Sequence, residues 1–292
     1  MSIIAFIGLG IMGGPMSRHL IKSGHNVIGF NRSPGPVERL TAAGGKGASS
    51  VAEAVREADV IITVVPDSPD VESLALGEDG IYANARQGSI HIDMSSIRPD
   101  VAARLAEAGM AAGVRVIDAP VSGGEAGALE GSLSIMVGAE RTDFEEVKPI
   151  LETMGTTVVL VGPPGSGQTV KAANQLIVAG TLELVAEAIV FLRAWGVDTE
   201  AAVAVLSGGL AGSRVLERKA ASMLAGNFQP GFRIDLHHKD LGIVTAAARE
   251  RDVAIPLGAL TAQLVGAVRA QGDGDLDHSA LLRGVERLSG RA

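Results

Sequence analysis

Residues 3–16, IIAFIGLGIMGGPM, decide the fold of this 292-residue chain. An apolar run of strand length ends at Gly8, Gly10 and Gly13, spaced G-x-G-x-x-G, and the residues that follow suit the start of a helix. In that setting Gly8 permits a tight turn, Gly10 lets the backbone approach a pyrophosphate, and Gly13 lets helix and strand pack closely. The helix N-terminus offers N–H groups and the positive end of its dipole to the phosphates. The expectation is a dinucleotide seated on residues 8–13, with Leu9, Ile11 and Met12 completing the turn. A glycine-rich turn that merely joins strand to helix is the plainer alternative, and the βαβ pattern downstream speaks against it.

The next strand, NVIGF, ends about twenty residues beyond the glycines, where an Asp or Glu would bond the ribose 2′-hydroxyl of NAD. Here the chain has Asn31, Arg32 and Ser33. An acid would repel a 2′-phosphate, whereas a guanidinium binds it bidentately and Ser33 adds a donor. The expected cofactor is therefore NADP(H) in preference to NAD(H). A solvated arginine at a strand end is the other reading.

Further out, short β-branched runs (VIITVV, SIHIDM, RVIDA, LSIMVG, TVVLVG) alternate with amphipathic stretches as far as Gly162. This predicts βαβ units and a mostly parallel sheet covered on both faces, an α/β fold. Beyond GPPGSG only helical periodicity remains: a long helix over 168–194, then shorter ones, with Pro256 placed to begin one and Asp277 to cap another. The long segment is interrupted by Glu183, Glu187 and Arg193, which disfavours a membrane span. Its nearly all-round apolar surface suits packing against a second copy, so a homo-oligomer, dimer or tetramer, is expected.

Net charge is -8 with no dense Lys/Arg run, which excludes a nucleic-acid footprint. The chain has no cysteine, and MSIIAFIGLG has neither a basic leader nor a cleavage motif. A cytoplasmic location is expected. The adjacent His237 and His238 lack an accompanying carboxylate cluster, so no metal is expected.

Four motifs in order, GLGIMGGPM at 8–16, DAPVSGG at 118–124, GSGQTVKAANQ at 165–175 and HKDL at 238–241, resemble the β-hydroxyacid dehydrogenases. That family includes 3-hydroxyisobutyrate and 6-phosphogluconate dehydrogenases. Further stretches, IDMSSI, GGLAGSRVLE, FRIDLHHKDL and DHSALL, resemble its reductases of short semialdehyde acids. The resemblance implies an N-terminal Rossmann-type doubly wound sheet over 1–163. An all-α C-terminal domain over 164–292 follows, beginning with the long helix and serving substrate binding and oligomerisation. It also implies a small aldehyde or hydroxy-acid substrate.

Reducing an aldehyde requires a proton donor at the carbonyl oxygen beside the nicotinamide. Lys171 in the long helix, with Asn174 and Gln175 at i+3 and i+4 on the same face, meets that need. Burial would lower its pKa toward working pH. Spacing alone leaves a snorkelling surface lysine equally open; the resemblance implies the proton donor, with Asn174 assisting it. Ser122, Gly123 and Gly124 follow a strand and expose consecutive N–H groups suited to a carboxylate, or else form a flexible loop. The resemblance implies the former. It further implies that Asn174, Gln175 and Lys239 contact substrate, and that Lys239, Ser96, Val65 and Pro66 line the nicotinamide side of the cofactor groove. Asp240 is either the ion-pair partner of Lys239 or the start of a helix.

Overall fold

The structure, a computed structural model, describes residues 1–291. The chain forms two compact units, Met1–Lys171 and Ala172–Ala292.

The first unit opens with β1 (Ile3–Ile7), α1 (Gly13–Lys22), β2 (Asn26–Phe30), α2 (Pro34–Ala42), β3 (Lys46–Gly47) and α3 (Val51–Val55). It continues through β4 (Val60–Thr63), α4 (Ser68–Leu76), α5 (Ile81–Asn84), β5 (Ile90–Asp93), α6 (Pro99–Ala111) and β6 (Arg115–Asp118). A second stretch holds β7 (Val121–Ser122), α7 (Gly124–Glu130), β8 (Leu133–Gly138), α8 (Arg141–Leu151) and β9 (Gly155–Gly162). The described strands form one nine-stranded sheet in the order β3-β2-β1-β4-β5-β6-β8-β7, with β9 also on β8. Strands β1 to β6 pair in parallel, with a helix in every connection from one to the next. Both β6 and β7 meet β8 antiparallel, while β8 and β9 are parallel.

Alternate residues of β1 explain why the sheet is covered twice. Ile4 and Phe6 enter one core with Met16 and Leu20 of α1 and Phe144 and Val147 of α8. Ala5 and Ile7 enter another with Ala54 and Val55 of α3 and Ile81 of α5. A strand buried on both faces reads as an unbroken apolar run, which is how IIAFI reads. The strands β3 and β7 have two residues each and leave no periodicity in the sequence.

Helix α9 (Ser166–Ala194) begins in the first unit and continues into the second. The second unit adds α10 (Thr199–Gly208), α11 (Arg214–Leu224), α12 (Ile234–Glu250), α13 (Pro256–Val268) and α14 (Leu281–Leu288). Its core gathers Leu182, Ala186 and Ile189 of α9 with Met223 of α11, Leu241 of α12, Val265 of α13 and Leu281 of α14. By length and composition α9 is apolar enough to cross a membrane, but part of that apolar surface is spent on this core. Pro256 stands in the first turn of α13, as the sequence predicts. Asp277 caps the turn at His278–Ala280 and accepts from Lys219 of α11 and from the backbone of Gly231 and Phe232. Burial opposes its ionisation, but the charge of His278 and the hydrogen bonds from Lys219 and Ser279 hold the carboxyl well below its ordinary range.

Candidate active site

The three glycines differ in what forces them. Gly8 has φ +96°, and a Cβ there would lie 2.2 Å from the Val64 carbonyl oxygen; at Gly13 it would lie 1.9 Å from that of Gly8. The protein itself requires both. A Cβ on Gly10 would meet no atom within 4 Å. The open space stands over the turn at the start of α1, whose first turn carries no acidic residue. An anionic pyrophosphate fits this cradle by shape and by helix dipole.

Asn31 ties the turn to the end of β2: its Oδ1 accepts from Leu9 N at 3.0 Å, and its Nδ2 donates to Ser33 Oγ at 2.9 Å. Beside it lies an open cavity of about 680 Å³ lined by Phe30, Asn31, Arg32, Pro34, Val37 and Thr41. The Arg32 side chain is 83% exposed and stands 3.9 Å from Asp70, too loose a pairing to immobilise it. Such a guanidinium is available to an arriving phosphate. Ile11 is exposed and Met12 half-buried on the same turn.

At the C-terminal ends of β4 and β5 the two loops are bound to each other. Val65 N donates to Ser95 Oγ at 3.0 Å. Asp93 Oδ1 accepts from Thr63 Oγ1 at 2.7 Å and from Ser95 N at 3.2 Å. Thr63 in turn meets His91 Nε2, and His91 Nδ1 meets the Tyr82 hydroxyl. Burial pushes His91 down to about 3, so the ring is neutral. Exposed Pro66 and half-buried Ser96 sit on these braced loops.

Lys171 is 9% exposed, and its Nζ donates to the Val121 carbonyl at 2.8 Å. The ammonium is thus held on the loop that carries Ser122, Gly123 and Gly124. Gly123 and Gly124 have φ of +139° and +63°, and α7 starts at Gly124, so backbone N–H groups cluster there. At the foot of that loop lies Asp118, buried, its carboxylate accepting from Gly165 N and Gln168 N. Burial pushes Asp118 up to about 6 despite those two amides, which favour the ionised form, and nearby Asp93 adds to the push.

The second unit joins another group. Asn174 Nδ2 donates to Gln175 Oε1 at 2.8 Å, and Gln175 Nε2 donates to Asp240 Oδ2 at 2.6 Å. Lys239 Nζ pairs with Asp240 Oδ1 at 2.9 Å. Asp240 is therefore the ion-pair partner of Lys239, and it lies within α12 instead of starting a helix. His237 is buried, with Nδ1 3.1 Å from Nδ1 of His278 and both rings edge-on to Phe232. Among the described residues no group of three His, Asp or Glu side chains is placed to hold a metal ion.

Sequence reading passed over Asp118, Gln168 and Asp93. No local pattern marks the first two: Asp118 closes a strand and caps a helix start some fifty residues later, a pairing made only by tertiary packing.

A family model described as the NAD binding domain of 6-phosphogluconate dehydrogenase matches residues 3–162. A second, the NAD-binding of NADP-dependent 3-hydroxyisobutyrate dehydrogenase, matches residues 165–285. The chain is 41% identical to 2-hydroxy-3-oxopropionate reductase of Escherichia coli (strain K12), covering 98% of each protein. Among solved structures it is similar to Mycobacterium tuberculosis 3-hydroxyisobutyrate dehydrogenase with L-serine, at TM-score 0.89 and 32% identity over 100% of both chains. It is also similar to Psf3 in complex with NADP+ and 2-OPP, at TM-score 0.89 and 28% identity over 96% of this chain and 99% of that one. The chain belongs to the 3-hydroxyisobutyrate dehydrogenase family and is an NAD(P)-dependent β-hydroxyacid dehydrogenase.

Proposed function

We propose that this enzyme reduces 2-hydroxy-3-oxopropionate (tartronate semialdehyde) to D-glycerate, with NADPH preferred over NADH. The observation that carries the reading is the buried Lys171 ammonium held at 2.8 Å on the carbonyl of Val121, beside the glycine turn of residues 122–124. A short semialdehyde acid needs these two elements at one place: donors for its carboxylate and an acid for its carbonyl oxygen. NADPH, when bound, supplies the hydride. Ser122 and the N–H groups of Gly123 and Gly124 hold the substrate carboxylate. Lys171 transfers a proton from Nζ to the aldehyde oxygen as the C–H bond forms, leaving a hydroxyl on the product and a neutral amine that regains its proton from water. Asn174 and Gln175, one turn along the same helix, orient the hydroxyl end, and the Lys239–Asp240 pair gives a second cation near substrate.

Arg32 and Ser33 bind the 2′-phosphate, and Val65, Pro66 and Ser96 border the nicotinamide. The substrate assignment draws on the identity to the E. coli reductase. The proposed location is the cytoplasm, which suits a chain without cysteine. A second copy covers the exposed apolar side of α9.

The test is oxidation of NADPH and of NADH with 2-hydroxy-3-oxopropionate and, in parallel, with 2-methyl-3-oxopropionate. Fast turnover of the first substrate with NADPH is expected, and Lys171→Ala should lose about 10²–10⁴-fold in kcat while still binding NADPH. Preference for the methyl compound would assign the chain to 3-hydroxyisobutyrate oxidation instead.

A further inference from the structure

Asp118 is the last residue of β6, 3% exposed, and sits in a slot built for a carboxylate. A Cβ on Gly138 would lie 2.3 Å from its Oδ1, and one on Gly167 would lie 2.8 Å from its Oδ2. Two glycines on different elements thus leave room for it. Its Oδ1 accepts from Gly165 N at 2.6 Å and its Oδ2 from Gln168 N at 2.8 Å, which brackets the first turn of α9. Gln168 then pins the same turn from its other side: Oε1 accepts from Ile97 N at 3.1 Å and Nε2 donates to Ser95 O at 2.8 Å. Lys171 stands three residues on, along the same helix face, and its Nζ returns to Val121, three residues beyond Asp118. The strand end and the helix start are therefore joined at two points, a carboxylate at one and the lysine at the other.

We propose that Asp118 is the positioning residue for Lys171, its carboxylate setting where the ammonium stands on the loop of residues 121–124, with Gln168 as the second anchor. The inference rests on the reading of Lys171 as proton donor. Only an ionised carboxylate accepts both N–H groups, one on each oxygen; an amide in its place turns an NH₂ toward one of them. The negative charge also offsets an unfavourable cation near a helix start, because it stands at the positive end of the α9 dipole. Proton transfer depends steeply on geometry, and a misplacement of an ångström can cost about 100-fold.

Four variants of the full-length protein test it: Asp118→Asn, Gln168→Ala, the double variant and Lys171→Ala. The measurements are single-turnover reduction, NADPH affinity by fluorescence, and amide hydrogen exchange over residues 165–171 without cofactor. Asp118→Asn should lower kcat roughly 10–100-fold with NADPH affinity within about twofold of wild type, and exchange at Gly165 and Gln168 should accelerate. Gln168→Ala should lower kcat less. The double variant should fall short of the product of the singles, because both act through one turn. A kcat within about twofold of wild type in Asp118→Asn, with exchange accelerated, would overturn the proposal and leave Asp118 as a helix cap only. If Asp118→Asn does not fold, Gln168→Ala decides: unchanged kcat overturns the proposal, and reduced kcat with intact NADPH binding supports it. Full turnover in Lys171→Ala would overturn the proton-donor reading itself, and the positioning role with it. Inactive Lys171→Ala beside fully active Asp118→Asn would sink only the positioning role.

Discussion

Gly10 and Gly13 stand three residues apart, and a methyl group on each should have opposite effects. At Gly13 the methyl runs into the Gly8 carbonyl and the Phe6 ring, so Gly13→Ala should destabilise the first unit by about 1–3 kcal/mol or prevent its folding. At Gly10 the methyl meets nothing in the protein. Gly10→Ala should therefore melt like wild type yet bind NADPH at least roughly tenfold more weakly, since the methyl group would fill the space proposed for the pyrophosphate. Equal affinity, measured by fluorescence titration, would place the phosphates elsewhere. Arg32 invites a similar comparison because its exposed guanidinium is held only by a 3.9 Å contact to Asp70. Arg32→Asp should lower the NADPH to NADH ratio of kcat/KM by about 10–100-fold, the worth of a charge-assisted hydrogen bond. An unchanged ratio would assign 2′-phosphate recognition to other groups.

At the scale of the element, α9 carries a buried acid that its core does not satisfy. Glu183 is 6% exposed, and its Oε2 has no hydrogen-bond partner among the described residues. Burial, followed by the neighbouring charge of Glu187, pushes it up to about 7 from an ordinary 4.5. Between those two values the folded chain keeps a proton that the unfolded chain releases, so this contribution to stability is present at low pH and lost as pH rises through about 7. Glu183→Gln keeps the shape and removes the charge. The variant should unfold a few degrees above wild type at pH 8, with the gap closing toward pH 5. A Tm difference independent of pH would show that Glu183 is not the group being ionised.

Across the whole molecule, α9 is the helix that sets exposed apolar side chains in a regular stripe. Ile177, Leu184 and Phe191 of α9 are 67%, 65% and 63% exposed and recur every seven residues, which keeps them on one side. Such a stripe is the surface the proposed second copy would cover. Leu184→Asp combined with Phe191→Asp should convert the protein to a monomer in sedimentation velocity. A wild-type sedimentation coefficient in that variant would remove α9 from the interface.

The sequence alone determined what local chemistry encodes. A two-sided apolar strand, a glycine turn and alternating βαβ runs specify the α/β fold, and a run of purely helical periodicity announces the second half, because both signals come from neighbours a few residues apart. Pro256 and Asp277 mark their turns for the same reason. The tertiary structure decided what long-range pairing controls. The two-residue strands β3 and β7 exist only because a longer neighbour offers them hydrogen bonds. Asp240 became the partner of Lys239 and Gln175 through its burial within α12, where an unpaired carboxylate would be costly. Asp118 and Gly165, forty-seven residues apart, meet only when β6 and the start of α9 are packed together, so the cap is invisible to any reading of neighbours.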